Sequence, residues 1–166
     1  MKTLFLFMLS LLGYGSLQAQ ADSTLHPYQR FPNNIPLKIL LADSTTTYTA
    51  DNIPKKKGFI VMLFSPDCEH CKQEIKEVKA NIDSFKQYHI VMVTPMPFDR
   101  MKSFYQEYEL DKYPNITVGR DQGFTLPVYY GIRFFPYLAF YNRKHELLST
   151  FEGNVSVADM LTRLRK

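Results

Sequence analysis

The strongest constraint in this sequence is an unbroken apolar segment that is followed at once by a pair of cysteines. "GFIVMLF" occupies residues 58–64, and the two cysteines of the chain, Cys68 and Cys71, follow in "SPDCEHC". An apolar run of this length, bounded by turn-forming residues, is typical of a β-strand covered on both faces of its sheet. We therefore expect a central strand here, with the cysteines close behind its carboxyl end.

The residues after the first cysteine predict a helix. From Glu69 to about Tyr88, apolar residues recur at steps of four, three, four and three, at Cys71, Ile75, Val78, Ile82 and Phe85. These five side chains form one stripe that we expect to be buried. Cys68 then stands at the start of the helix, accessible to solvent, and Cys71 lies one turn further in and is shielded.

Strand and helix patterns alternate along the rest of the chain. The patterns predict a hairpin in residues 37–54, a strand in His89–Thr94, a helix in Phe98–Leu110, a short strand at "NITV", an antiparallel hairpin in residues 135–153 and a closing helix capped by Asn154 or Ser156. Residues 123–131 are compatible with a further short helix. This order predicts an α/β fold in a single domain.

The N-terminus has the features of an export signal. "MKTLFLFMLSLLGYGSLQAQAD" contains one lysine, an apolar stretch and then small and polar residues, which predicts a signal peptide cleaved after Ala19 or after Ala21. Its apolar stretch is much shorter than the roughly 20 residues that a membrane-spanning helix needs. A polar leader over residues 20–36 follows, and we expect the ordered domain, residues 37–166, to begin near Leu37.

The charge pattern argues against a nucleic-acid partner. Lysine and arginine total 20 against 16 aspartates and glutamates, and the two signs are interspersed along the chain. Proteins that bind nucleic acids concentrate positive charge on one patch. We expect the mild positive excess to contribute to solubility.

Together these features resemble the thioredoxin-like fold and, within it, the exported TlpA/ResA type of thiol-disulfide oxidoreductase. The resemblance covers about Leu37 to Lys166 and rests on "CEHC" at a strand-to-helix junction, on Glu74, and on "FFPYLAFYNRKHELLSTFEG" in the place of the family's cis-proline and following hairpin. It implies a central mixed sheet flanked by helices, with an additional N-terminal β-hairpin.

The resemblance also implies a set of site residues. Cys68, Cys71 and Glu74 would be catalytic, Phe135 and Pro136 would line the substrate groove, and a Cys68–Cys71 disulfide would be the redox group, with no other cofactor and no metal. Two departures are visible: Met62 stands where many thioredoxins carry a buried acid, and Asp67 stands in place of the usual aromatic residue.

The chemistry of the cysteine pair can be argued from the residues themselves. The first turn of a helix offers unpaired N–H groups and a positive dipole end, which favour the thiolate of Cys68. Cys71 could then attack a mixed disulfide held on Cys68. A protonated His70 would further favour that thiolate, whereas Asp67 and Glu69 would disfavour it. The sign of the net effect stays open.

Two further residues each have two readings. Glu74 is either a partly buried acid with a raised pKa that transfers protons for the cysteines, or a solvated helix residue paired with a lysine. Pro136 either positions Phe135 against a substrate or is an ordinary proline at the first residue of a strand.

Three functions remain open. The favoured one is a periplasmic oxidoreductase that exchanges disulfides, preferably as a reductant, in exported proteins and is recharged by a redox partner that could be membrane-bound. The second is a copper-binding module that uses Cys68, Cys71 and a histidine from elsewhere in the chain. The third is a non-catalytic binding domain with a structural disulfide, although so short a loop removes little chain entropy.

Overall fold

A computed structural model describes residues 25–165 of the 166-residue chain. The predicted signal peptide lies outside the described residues. The described residues form seven strands: β1 (Lys38–Leu41), β2 (Thr47–Thr49), β3 (Gly58–Leu63), β4 (Tyr88–Thr94), β5 (Ile116–Arg120), β6 (Tyr137–Tyr141) and β7 (Leu147–Glu152). Five α-helices accompany them: α1 (Pro27–Arg30), α2 (Glu69–Ala80), α3 (Phe98–Glu107), α4 (Thr125–Tyr130) and α5 (Val157–Leu164).

The strands form one mixed sheet in the order β2-β1-β5-β4-β3-β6-β7. Strands β3, β4 and β5 run parallel to one another, and the other neighbouring pairs are antiparallel. The predicted central mixed sheet and the additional N-terminal hairpin, β1–β2, are both confirmed. Because β3 and β4 are parallel neighbours, the chain leaves the carboxyl end of β3, forms α2 and returns to the start of β4.

Strand β3 is buried along its whole length because both faces of the sheet are covered. Its even-numbered residues, Ile60 and Met62, face a core that contains Cys71, Ile75 and residues of α3 and α5. Its odd-numbered residues, Phe59, Val61 and Leu63, face a second core that contains the tyrosines of α4 and β6. The alternation follows from the two-residue period of a strand. The prediction of a doubly covered interior strand is thus confirmed.

Order begins earlier than the sequence led us to expect. The leader contains α1, and the ring of Tyr28 lies 5.8 Å from that of Tyr130 in α4. The Tyr129 hydroxyl donates a 2.6 Å hydrogen bond to the carbonyl of Phe31. The expected start near Leu37 is therefore wrong, because a few aromatic residues attach an otherwise polar segment to the domain.

Two predicted helices end earlier than their apolar patterns suggested. Helix α2 ends at Ala80, where the side-chain amide of Asn81 donates to the carbonyl of Glu77 over 2.9 Å and so competes with the helical hydrogen bonds. Phe85 is buried as predicted, but it belongs to a short 3₁₀ helix after α2. Tyr88 is the first residue of β4. Helix α3 ends at Glu107, ahead of the left-handed backbone at Glu109.

The remaining elements agree with their predictions. The short helix in residues 123–131 is α4, and the hairpin after Pro136 is β6–β7. Helix α5 is capped by Ser156, whose hydroxyl accepts from the Asp159 amide over 3.2 Å. Within residues 25–165, no helix combines the length and the hydropathy needed to cross a membrane.

The N-terminal hairpin is attached through a close contact at Gly119. A Cβ placed on Gly119 would lie 2.8 Å from the Cδ1 of Ile39 and 3.0 Å from the carbonyl oxygen of Leu40.

We predict that Gly119→Ala lowers the free energy of unfolding by about 1–3 kcal/mol, since overpacking displaces neighbouring backbone. Urea unfolding measures the loss, and hydrogen exchange should accelerate in β1. Gln122→Ala, at an exposed position, should be nearly neutral; equal effects would contradict the prediction.

Candidate active site

The two cysteines lie where β3 gives way to α2. A turn places the Cys68 amide 3.1 Å from the carbonyl of Ser65. Cys68 is the N-cap residue of α2, with an extended backbone, and its Sγ accepts a hydrogen bond from the Cys71 amide over 3.4 Å. Cys68 is half-buried, whereas Cys71 is fully buried in the core between α2 and the sheet. One sulfur can therefore meet an outside molecule, and the other cannot.

Both cysteines are free thiols, which is the reduced state of the pair. Burial raises the pKa of the Cys71 thiol, and the neighbouring Cys68 raises it further, as does the Glu74 carboxyl. Cys71 is consequently protonated at neutral pH and must lose its proton before it can act as a nucleophile. The disulfide between the two residues stays a prediction.

Glu74 is buried beneath the helix, with 1% of its surface exposed. Its Oε2 accepts a 2.7 Å hydrogen bond from the side-chain amide of Asn154, and both of its oxygens lie 3.2 Å from the backbone nitrogen of Val155. Burial raises the pKa of Glu74 to about 7, against the opposing effect of these hydrogen bonds. The reading of Glu74 as a solvated residue paired with a lysine is therefore wrong.

The loop before β6 forms the other wall of the site. The peptide bond between Phe135 and Pro136 is cis. The carbonyl oxygen of Phe135 lies 3.5 Å from the Sγ of Cys68, which donates to it. Phe135 is half-buried and Pro136 is buried, so the carbonyl of the loop faces the more accessible of the two cysteines.

The Glu152 carboxylate of β7 forms hydrogen bonds to the backbone of the same loop. The Oε1 of Glu152 accepts the backbone N–H groups of Arg133 and Phe134, at 2.5 and 2.7 Å. The Phe134 side chain beside it is 68% exposed. An apolar ring is thus held in solvent next to the segment that faces Cys68.

The acids on either side of Cys68 both have cationic partners. Asp67 forms an ion pair with Arg100 of α3. Glu69 pairs with Lys72 at 2.7 Å, and that lysine lowers the pKa of the Glu69 carboxyl. The unfavourable effect that these carboxylates were expected to have on a Cys68 thiolate is therefore partly offset. His70 is exposed, and its carbonyl accepts a 2.8 Å hydrogen bond from the side-chain amide of Asn154.

Sequence reasoning did not identify the groups that surround the predicted residues. Asn154 is one of the two predicted caps of the closing helix, yet its side chain bonds Glu74, which is 80 positions away. Arg100 and Glu152 are ordinary charged residues in a helix and a strand, and no sequence pattern marks them. Only the long-range arrangement of the chain brings these groups to the cysteines.

Metal ligands are not clustered in the described part of the chain. No group of three or more histidine, cysteine, aspartate or glutamate side chains within residues 25–165 is placed to hold a metal ion. His70 is the histidine within the "CEHC" motif, and its side chain is exposed beside the two cysteines.

A dithiol at the start of a helix, facing a cis-proline loop on a mixed sheet, defines the thioredoxin class of fold. Residues 49–166 match the family model of the thioredoxin-like domain. The chain therefore belongs to the thioredoxin-like family, which confirms the membership predicted from the sequence.

Solved structures with this fold include a secreted disulfide oxidoreductase. DsbF of Mycobacterium tuberculosis, a structure in mixed oxidised and reduced forms, has a TM-score of 0.67 and 17% identity, with 80% of this chain and 95% of that chain covered. A secreted disulfide oxidoreductase of Mycobacterium tuberculosis, homologous to Escherichia coli DsbE, has a TM-score of 0.63 and 15% identity, with 76% and 92% covered. These neighbours share the fold of this chain.

A curated relative is similar over a shorter region. A probable protein disulfide-isomerase A6 of Medicago sativa is 32% identical over 79 residues, which span 45% of this chain and 22% of the relative. The matched region is thus about a fifth of that protein's length.

The buried carboxyl makes the stability of the fold depend on pH. The pKa of Glu74 is raised from 4.5 to about 7, so the folded protein binds this proton more tightly than the unfolded chain does. The resulting stabilisation is complete below about pH 4.5 and is lost as the pH rises through 7. We predict that wild type loses on the order of 3 kcal/mol more stability between pH 4.5 and pH 8 than Glu74→Gln does.

Urea unfolding at a series of pH values measures this difference. Glu107→Gln, which removes an exposed carboxylate from α3, is the matched control and should follow the wild-type curve. Parallel curves for wild type and Glu74→Gln would show that Glu74 titrates normally in the folded protein.

Proposed function

We propose that the protein is a thiol-disulfide oxidoreductase that acts on disulfides of other proteins through a mixed disulfide on Cys68. The observation that carries the proposal is the placement of a half-buried Cys68 Sγ 3.5 Å from the Phe135 carbonyl, with a buried Cys71 one helical turn behind it. This arrangement separates a sulfur that captures a client from a sulfur that resolves the captured state.

In the first step, the Cys68 thiolate attacks one sulfur of a client disulfide. The client S–S bond breaks, an S–S bond forms between Cys68 and the attacked sulfur, and the departing client thiolate takes a proton from solvent. The Cys71 amide, which donates to the Cys68 Sγ, and the positive end of α2 stabilise the attacking anion. Phe135 and Pro136 would line the groove that holds the client backbone, in the manner of an added strand.

In the second step, Cys71 releases the client. Its thiol gives a proton to the Glu74 carboxylate, and the resulting thiolate attacks the Cys68 sulfur. The mixed disulfide breaks, a Cys68–Cys71 disulfide forms, and the second client sulfur leaves as a thiolate. Two electrons have then passed to the client, and the protein is oxidised.

Glu74 suits this proton transfer because of its environment. Its pKa of about 7 leaves a substantial fraction ionised at neutral pH, and that fraction can accept a proton. The Cys71 proton is the one that must move, because burial raises the pKa of that thiol. A group whose pKa lies near the working pH can both take up the proton and return it in the next cycle.

A reductase of this kind needs a source of electrons and a compartment that contains its clients. We infer that a dithiol partner, which could be membrane-bound, reduces the Cys68–Cys71 disulfide by the reverse exchange. We further infer that the protein works in the periplasm on exported proteins, because its N-terminal sequence has the features of a signal peptide. Asp67, Glu69 and His70, which flank Cys68, would set the potential at which exchange occurs.

The roles of the two cysteines can be separated by substitution. We predict that Cys68→Ser abolishes reduction of a protein disulfide, because no sulfur remains for capture. Cys71→Ser should retain capture and accumulate a mixed disulfide, which non-reducing electrophoresis and mass spectrometry detect. Ser84→Ala, at an exposed position after α2, is a control that should reduce at the wild-type rate.

Three results would count against this function. Disulfide exchange by Cys68→Ser at the wild-type rate would exclude it. Tight binding of one equivalent of Cu(I) by the reduced protein, with no exchange activity, would favour the copper-binding alternative. A potential below about −300 mV would indicate a structural disulfide.

The proposed location has its own test. We predict that a Gram-negative host that produces the full chain releases it on osmotic shock, with a mature N-terminus at Gln20 or Asp22. N-terminal sequencing of the released protein measures the cleavage site. Recovery of uncleaved protein in the cytoplasm would contradict export.

A further inference from the structure

Four consecutive residues, Glu152 to Val155, each form a hydrogen bond to the candidate site. The Glu152 carboxylate accepts the amides of the loop before Pro136, and the Gly153 amide donates to the Pro136 carbonyl over 2.8 Å. Gly153 has a φ of 108°, a conformation that glycine adopts most easily. We call this segment the 152–155 clamp, because it joins the cis-proline loop to the helix that carries the cysteines.

Asn154 makes the connection to that helix. Its Nδ2 donates to the Oε2 of Glu74 over 2.7 Å and to the carbonyl oxygen of His70 over 2.8 Å. A single amide group therefore holds the buried carboxyl and also the backbone of the turn that contains both cysteines. The two hydrogens of the amide nitrogen match these two acceptors in number.

We propose that Asn154 is a positioning residue, whose amide ties the Glu74 carboxyl to the first turn of α2 and thereby controls how readily Glu74 takes the Cys71 proton. The inference rests on the proposed function, because it deepens the role given to Glu74 there. It adds a residue that acts through its hydrogen bonds to Glu74 and to the backbone of His70.

The groups around Glu74 determine whether loss of the Asn154 amide raises or lowers the pKa of Glu74. On its own helix, Glu77 raises the pKa of Glu74, and Cys71 is the thiol that Glu74 affects in turn. From the clamp, the amides of Asn154 and Val155 lower that pKa. Met62 of β3, in the core that also contains Cys71, is uncharged. Asn154 is therefore one of two groups that favour the anionic, proton-accepting form.

Loss of the amide should shift proton transfer to higher pH. A hydrogen bond to a charged group is worth about one pH unit of ionisation or more. Asn154→Ala removes that bond. The pH at which Glu74 ionises and can accept the Cys71 proton should therefore rise by about one unit relative to wild type. Asn154→Asp keeps the shape but brings a like charge to the carboxyl, so its shift should be at least as large and in the same direction.

The resolving step can be observed with a small aromatic disulfide, 5,5′-dithiobis(2-nitrobenzoate), in stopped flow with the reduced mature protein. Attack by Cys68 releases one coloured thiolate, and attack by Cys71 on the mixed disulfide releases the second. The rate of the second phase, followed from pH 5 to pH 9, should rise with an inflection near pH 7 in wild type. In Asn154→Ala and Asn154→Asp, the inflection of the second phase should move upward.

Controls separate this inference from the proposed function and from simple loss of structure. The control variant Asn115→Ala removes a side-chain amide that donates a 3.2 Å hydrogen bond to the carbonyl of Phe85 and does not contact Glu74. This variant should leave the inflection in place. Glu74→Gln should abolish the inflection. If Glu74→Gln keeps it, the role of Glu74 in the proposed function fails.

If Glu74→Gln abolishes the inflection but both Asn154 variants retain it near pH 7, the inference about Asn154 is overturned and the proposed function stands. A uniform loss of rate at every pH, with no shift, would likewise assign Asn154 a purely structural role. A shift in the Asn154→Asp protein alone would also overturn the inference, because it would reflect the added charge and not the lost amide.

Discussion

The candidate site depends on one buried carboxyl and on the hydrogen-bond donors that satisfy it. Glu74 lies in an apolar core, where an ionised group without partners would be strongly unfavourable. Donors from Asn154 and Val155 compensate part of that cost, so the carboxyl remains close to balance between its two protonation states. Without those donors the buried carboxyl would stay protonated and could not accept a proton. A carboxyl exposed to water would be ionised, but it would be too weak a base to take the proton of a thiol.

The elements that carry the cysteines were predictable because their signals are local. An apolar run defines β3, and the helical period after Glu69 defines α2, so the N-cap position of Cys68 and the burial of Cys71 follow from spacing alone. The resemblance to a known family added the groove at Pro136. Local signals failed where a single side chain decides a boundary, as at Asn81, or where isolated aromatics anchor a polar segment, as in α1.

The environment of Glu74 could not be predicted for a different reason. The apolar stripe of α2 placed Glu74 only near its edge, which is compatible with either burial or solvent. The residues that decide the matter, Asn154 and Val155, come from the connection between β7 and α5, and no periodicity links them to α2. Their proximity is a property of the complete sheet, in which β6 lies beside β3.

The position of the clamp within the chain has a consequence for biosynthesis. A ribosome makes the chain from its N-terminus, so both cysteines emerge long before Asn154, which lies 84 positions after His70. Until the last part of the chain arrives, neither the carboxyl nor the cis-proline loop has its partners. A nascent chain therefore contains both cysteines before the residues that bond Glu74 and the cis-proline loop have been synthesised.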